Sequence, residues 1–464
     1  MAPSLEEPTD NGSDSASPSL PKSNEPVVLE IAIAGGGIAG LTAAIALLKH
    51  PLINVTIYEQ AHEIREIGAS IGLGPNGLRT LEALGIENAL GGDVCTRQES
   101  DWPMVYRHWK TGEIFSYDVH HTVTTKKHFT ARYHRAHLQA ALLENLPRDI
   151  VHLNKKIKEA KADADEGVTL SFMDGTTAFA DILIGADGLH SNTRKSFVPD
   201  HSLHWTGWVA YRTTFDMSLV QDIKNLPVDA AHWIGHERTF FQSRLGKNQY
   251  VIVGGFDADP ADPDAPYRDT KWHGEGDVRE FQKYYQDWHP TVRELIERAP
   301  NVRLYPNMAG KSLETYVFSN RVALIGDAAH THGGAFAAGG SLAIDDAYCF
   351  SLALNHVFPI NASRKPDKKE LAKVFKLLIA KQKEKVDVSK TETDEGLRER
   401  IISRPDPAWI SEHDVKAAFD RTVKLVGKID GARNKINFLM NYQLHAPNLL
   451  SNLGLRNLQV SQDL

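Results

Sequence analysis

Cysteine is scarce in this 464-residue chain: there are two, Cys95 and Cys349. Two thiols build no disulfide framework, and such usage predicts a reducing, cytoplasmic environment. No run approaches the ~18 consecutive apolar residues of a spanning helix, so no membrane span is expected. Positive charge is also short, with 52 Lys+Arg against 59 Asp+Glu and a formal net charge of −7. A chain without a positive field is a poor nucleic-acid binder. Residues 1–26 contain one basic residue, Lys22, and no apolar stretch. A signal peptide or mitochondrial presequence needs more than that, and the acids, prolines and serines predict a disordered tail. No G-x-S-x-G elbow or P-loop occurs, which leaves hydrolase and nucleotidase readings unsupported.

The remaining composition, 42% hydrophobic and 24% charged with 34 glycines and 22 prolines, is that of a globular protein and excludes collagen-like or coiled-coil architectures. At roughly 150 residues per domain the length predicts about three units.

The pattern changes at Val27. VVLEIAIAGGGIAGLTAAIALLKH predicts a buried strand over 27–34, a glycine turn, and a helix to about Lys49; NVTIYEQ predicts a second strand ending at Glu59. Gly35, Gly37 and Gly40 form G-x-G-x-x-G, whose glycines serve a tight turn, a close pyrophosphate approach and close helix packing. Ile38 and Ala39 open the helix, where unpaired N–H groups face phosphates. Glu59, followed by Gln60, stands about 20 residues past the last glycine, where a carboxylate accepts from ribose hydroxyls. Gly72, Gly74 and Gly77 repeat the spacing, but Pro75 interrupts them, no strong strand precedes and no acid-tipped strand follows. One dinucleotide fold is therefore expected.

Two further strand-to-turn segments follow. ADILIGADGLHSNTR carries Gly185, Asp187, Ser191 and Arg194; RVALIGDAAH carries Gly326, Asp327 and His330. Taken singly, each reads equally well as a strand followed by an Asp-capped helix. In this order after the glycine motif, they make Val27–Leu354 resemble the class A FAD-dependent aromatic hydroxylases, the group that includes salicylate and para-hydroxybenzoate hydroxylases.

The resemblance implies an α/β fold: a Rossmann-like FAD-binding domain (27–100, 128–200 and 303–358) interleaved with an antiparallel-sheet substrate domain (101–127 and 201–302). A helical region, 359–464, follows. It implies FAD as cofactor, NADPH or NADH as a transient electron donor, and O2 as co-substrate. The product would be a ring hydroxylated through a flavin C4a-hydroperoxide, with or without decarboxylation. Glu59 would hold the adenosine ribose, Arg135 the phosphate and ribityl region, Asp187 the cofactor and nicotinamide side, and Asp327 the ribityl chain. The helix carrying Gly339 and Gly340 would aim its N-terminus at the isoalloxazine carbonyls, where reduced flavin is anionic. The chain departs from the salicylate-type pattern after His330. Gly334 stands in place of a proline, Ala338 in place of a glutamine and Ser341 in place of an asparagine.

Substrate residues are expected between the FAD motifs. Met104–Val119 predicts a hairpin turning at Thr111-Gly112, and three strand-like runs within 203–257 predict a sheet roofing the flavin. Arg212 matches the family's position for a basic residue against a phenolate or carboxylate; a guanidinium binds a planar acid in bidentate fashion. The plain alternative is a surface salt bridge. Tyr211 beside it, His232, Arg244, Phe256 and Gly334 are the other pocket candidates, and His332 is placed near the flavin edge. No metal is expected among the 21 histidines, because no spacing completes a zinc ligand set. The basic amphipathic stretch KKELAKVFKLLIAKQKEKV suits a helix closing the site, or else a membrane surface or calmodulin-like partner. A homodimer is a further possibility left open. Other functions compatible with the same residues are epoxidation or dearomatisation in a biosynthetic pathway, and a weakly catalytic FAD-binding regulatory module.

Overall fold

A computed structural model describes residues 27–64, 70–330, 337–377 and 406–429. His332, Gly334, the 1–26 segment and most of the basic stretch after Leu377 lie outside the described residues.

Leu29–Ala34 is buried along both faces except at Glu30, the pattern of a central strand in a covered parallel sheet. It pairs in parallel with Ile53–Tyr58 on one side and Ile182–Gly185 on the other. Val322–Leu324 and Val151–His152 extend the sheet in parallel, and Val317–Phe318 closes one edge antiparallel. Parallel strands all release their following loops at one edge, which is where open α/β sheets bind ligands. Gly35, Glu59, Ala186 and Ile325 each directly follow one of these strands. Motifs nearly 300 residues apart in the chain therefore converge on one edge. Helix Ile38–Leu47, all ten residues buried, packs between this sheet and the long helix Gly339–Val357.

The second glycine set has a packing role. A strand, Ser70–Leu73, does carry its first glycine, Gly72, but runs antiparallel to Ala131–His134, outside the parallel sheet. A Cβ on Gly77 would lie 3.0 Å from Ser341 Oγ, and the Gly74 N–H donates to that same oxygen at 2.9 Å. These glycines let helix Pro75–Ala83 approach the long helix closely.

The roof is an eight-stranded sheet in the order Gly274–Glu275, Arg303–Gly310, Leu203–Asp216, Gln249–Asp257, Arg238–Leu245, Ala231–Ile234, Val105–His108, Ile114–Tyr117. It is antiparallel as expected, except that Ala231–Ile234 and Val105–His108 are parallel. The hairpin turns at Gly112, whose φ of +77° suits glycine. Arg303–Gly310, expected in the FAD domain, belongs to the roof, because it pairs along Leu203–Asp216 from Leu203↔Gly310 to Arg212↔Arg303. Helices Val278–Tyr284 and Pro290–Glu297 cover the outer roof face through Phe281, Tyr285, Val292 and Leu295. Beyond the roof, helices Lys368–Leu377 and Val415–Ile429 supply the expected C-terminal helical character. Glu412 fastens this region by accepting from the N–H groups of His121 (2.7 Å) and Thr122 (2.6 Å). Among the described residues, no helix is long and apolar enough to cross a membrane.

Candidate active site

Gly35 sits at φ +102°, and a Cβ there would meet Ala186 O at 2.5 Å; a Cβ on Gly40 would meet Gly35 O at 2.0 Å. Only glycine fits either position. Around Gly37, by contrast, a Cβ would meet nothing within 4 Å, so this glycine faces open space. No side chain caps the helix that begins at Ile38, and its first N–H groups, with those of Ala39 and Gly40, remain available to an anion. Glu59 lies beside them, accepting from the N–H of Gly36 at 2.6 Å and of Ala61 at 2.8 Å. A carboxylate has about four lone-pair sites, which leaves room for ribose hydroxyls. Gln60 is exposed next to it. The cradle, the uncapped helix end and the acid fit the adenosine diphosphate half of FAD.

Helix Arg135–Leu143 places Arg135 at its first position, and Gln139 one turn later donates to Gly36 O at 3.0 Å. That buried glutamine ties the helix to the glycine turn; its spacing of four from Arg135 on one helical face was the available signal. The Asp187 carboxylate is spent within its own turn, accepting from Ser191 Oγ and from the Thr193 N–H at 2.9 Å. Asp187 therefore shapes the loop, and Arg194 links that loop to the third motif. Arg194 is 2% exposed, and its guanidinium donates to Ala328 O at 2.9 Å, to Asp327 O at 3.3 Å and to Leu189 O. The sequence displayed Arg194 within its motif without revealing this bridging role.

Gly326, at φ +57°, brings the third motif against the first: a Cβ on it would stand 3.0 Å from Ala39 Cβ and 3.3 Å from Ala343 Cβ. Asp346 holds this turn, accepting from the Gly326 N–H and from His330 Nε2, both at 2.9 Å. Burial works against the charged form of His330, but Asp346 overrides it and raises the imidazole pKa. The Asp327 side chain is exposed and makes no hydrogen bond among the described residues, which suits a polar ligand chain. Gly339 and Gly340 open the long helix without a side-chain cap, and Gly340 is pressed against Ile71, 2.5 Å from where its Cβ would be. A second uncapped helix N-terminus thus fits the flavin end of FAD.

On the roof, strand alternation sorts the substrate candidates between two faces. Tyr211 and Phe256 point into the core behind the sheet. There Tyr211 stacks on Phe281 at 4.9 Å, and its hydroxyl meets Tyr267 and Glu280. Arg212, His232 and the apolar group Ala210, Val251, Val253 and Phe241 occupy the opposite face, toward the FAD-binding domain. Arg244 lies at the rim, 4.0 Å from Glu99, in an exposed ion pair. The structure thus joins Arg212 and His232 and separates both from Tyr211, Phe256 and Arg244. A cleft of about 520 Å³ beside Trp109, Tyr284, Trp288 and Arg238 opens behind the roof, away from the converging glycine motifs.

Arg212 lies 5.7 Å over the Tyr305 ring, and its Nε is buried without a hydrogen-bond partner among the described residues. Burial pulls its pKa down, opposed by Tyr305 and reinforced by the like charge of Arg135. The two guanidiniums, one on the roof and one on the first residue of helix Arg135–Leu143, thus lie within electrostatic reach of each other.

These features define a flavin-binding protein, and comparison with known proteins agrees. Residues 28–365 match the FAD binding domain family. The 6-hydroxynicotinate 3-monooxygenase of Bordetella bronchiseptica is 32% identical, with 68% of this chain and 80% of that protein aligned. A salicylate hydroxylase of Pseudomonas putida is 31% identical, covering 69% of this chain and 75% of its own length. A solved salicylate hydroxylase substrate complex superposes with a TM-score of 0.64 at 23% identity over 89% of this chain and 97% of that one, a likeness of fold. The chain belongs to the class A FAD-dependent aromatic hydroxylase family and is an FAD-dependent monooxygenase.

Proposed function

We propose that this monooxygenase hydroxylates a phenolic aromatic acid, with NADPH or NADH visiting as electron donor and O2 as co-substrate. The observation that carries the substrate class is Arg212, a half-buried arginine whose buried Nε has no hydrogen-bond partner among the described residues, on the roof face toward the FAD-binding domain. A cation drawn partly out of water without a carboxylate is costly unless a ligand neutralises it. The relatives' substrates, named hydroxynicotinate and salicylate, are ring acids of this kind.

FAD, when bound, supplies the redox chemistry: reduction by the nicotinamide and activation of oxygen. The protein's own residues do the rest. Arg212 binds the carboxylate or phenolate in bidentate fashion and holds the ring in one orientation. Its charge favours ionisation of a neighbouring phenol, which makes the ring electron-rich. Val253, Phe241 and Ala210 line the same face with apolar surface and keep water from the ring. His232 stands on that face, stacked edge-on against Phe241 with centroids 6.4 Å apart, and faces the ring's far side. Two buried free thiols, Cys95 and Cys349, fit a cytoplasmic location.

The test is NADPH and NADH consumption by the purified yellow holoenzyme across hydroxybenzoates, hydroxypyridine acids and neutral phenols, with product mass and carbon dioxide followed together. Ring acids should stimulate consumption and give a product heavier by one oxygen; carbon dioxide release marks the decarboxylating branch. Arg212→Met should raise KM for the acids about 10- to 100-fold while FAD content holds. An unchanged KM would remove Arg212 from the site, and silence toward every ring acid would overturn the substrate class.

A further inference from the structure

Arg132 stands outside every motif, yet it is 9% exposed on strand Ala131–His134, between the FAD-binding domain and the roof. Alternation sends Tyr133 into the FAD-domain core and Arg132 the other way. Its guanidinium lies 5.2 Å over the Phe241 ring. Nη2 donates to Pro103 O at 2.7 Å, while Nε is buried without a partner among the described residues. No carboxylate among the described residues reaches ion-pair distance of it. Asp118 acts on it from farther away, accepting from Tyr106 Oη at 3.1 Å. On the paired strand Gly72 stands opposite, and a Cβ there would be 3.2 Å from Nη1, so the facing side chain has been dispensed with.

The Phe241 beneath it belongs to a cross-strand row. Arg212 pairs with Val253, Val253 with Phe241, Phe241 with His232, and His232 with Tyr106. Adjacent strands are ~4.8 Å apart, so about 10 Å of backbone separates Arg212 from Phe241, with Val253 between. Two guanidiniums, that of Arg132 buried and that of Arg212 half-buried, each with an Nε unpartnered among the described residues, thus border one apolar strip about as wide as a substituted benzene ring. Burial draws both away from the ordinary arginine pKa, that of Arg132 to about 10, as expected of cations awaiting an anion.

We propose that Arg132 is a second anion-binding residue of the site, so that the preferred substrate is an aromatic ring carrying two anionic groups, one for each guanidinium. This rests on, and deepens, the reading of Arg212 given above. Packing on Phe241 alone would account for the cation–π contact but not for a charge buried without a counterion.

The holoenzyme is titrated with phenol, salicylate, 4-hydroxyisophthalate and 2-hydroxyterephthalate, with binding followed by the absorbance of its own flavin. The last two keep the salicylate arrangement and add a carboxylate meta or para to the first. At least one of them should bind more tightly than salicylate. Arg132→Met should cost that dianion about 10- to 100-fold in affinity and salicylate less than about threefold, whereas Arg212→Met should weaken both. Arg132→Lys, which keeps the charge and guards against a variant that fails to fold, should retain part of the preference; FAD content reports folding. Equal losses for salicylate and the dianion in Arg132→Met would overturn the proposal. So would a wild type that binds neither dianion better than salicylate. Tight, Arg132-dependent binding without stimulated NAD(P)H oxidation would sink the hydroxylation reading while leaving the second anion site standing.

Discussion

Replacing Gly40 by alanine puts a methyl carbon 2.0 Å from the Gly35 carbonyl oxygen and 3.2 Å from Ile33 Cγ2. A carbon and an oxygen rest near 3.3 Å, so the helix start and the turn must separate by about 1.3 Å. Helix Ile38–Leu47 is buried along its whole length and has nowhere to tilt without opening the core. Overpacking of this kind costs about 1–3 kcal/mol, offset in part by the better helix propensity of alanine. For a domain of this size each kcal/mol moves the melting temperature by about 2–4 °C. The FAD-stripped Gly40→Ala protein should therefore melt roughly 3–10 °C below wild type. Gly37→Ala is the matched control, because that glycine has φ −79° and nothing within 4 Å of its Cβ direction. Its stripped form should lose less than about 1 kcal/mol, while FAD affinity falls about tenfold or more as the methyl enters the space a pyrophosphate needs. Thermal melts of the stripped proteins and FAD titration by flavin fluorescence read the two effects separately. A Gly40→Ala apoprotein that melts with wild type, or a Gly37→Ala apoprotein that melts as low as the Gly40→Ala one, would refute the assignment of packing to one glycine and cofactor approach to the other.

Arg194→Met removes the donor shared by Leu189, Asp327 and Ala328 and leaves buried carbonyls unpaired. A loss of about 2–5 kcal/mol with reduced FAD content should appear in melts and in the absorbance of the purified protein; normal values for both would show that the bridge is dispensable. Asp345 is fully buried between Asn76 (2.6 Å) and Thr80 (2.8 Å), and burial raises its pKa from 3.8 to about 7. The folded state then holds a proton that the unfolded chain releases, so this group's contribution to stability declines as pH climbs from about 4 to 7. Asp345→Asn removes that decline, and Asn76 Oδ1, unpartnered in the wild type, is available to the new amide. At pH 8 the variant should be more stable by on the order of 1–3 kcal/mol, with the gain vanishing near pH 4; a variant less stable at pH 8 would contradict the buried-charge account.

Much of the flavin site was legible in the chain because its requirements are local. A left-handed turn at Gly35, a helix start at Ile38 and an acid at the tip of the next strand are each fixed by a few neighbouring residues. The spacing alone was not enough, since Gly72, Gly74 and Gly77 share it, yet Gly74 and Gly77 serve helix packing against Ser341 and Gly72 faces Arg132. The roof strands were likewise visible as apolar, β-rich runs. Arg303–Gly310 was placed in the wrong layer because strand membership depends on a partner about 100 residues away. Tyr211 was coupled to Arg212 by adjacency in sequence, yet successive strand residues face opposite ways, and the two sit on different sides of the sheet.

The sequence by itself determined the cofactor and the class of chemistry, since glycine turns, acidic strand ends and helix starts are short-range structures whose residues speak for themselves. Only the tertiary structure decided which side chains share the roof face toward the FAD-binding domain. Arg132 and Arg212 lie 80 positions apart, and the fold sets the one over Phe241 and the other two strands along the same roof face. That neither has a carboxylate at ion-pair distance among the described residues is a property of that packing, because a charge is unpaired only with respect to everything folded around it.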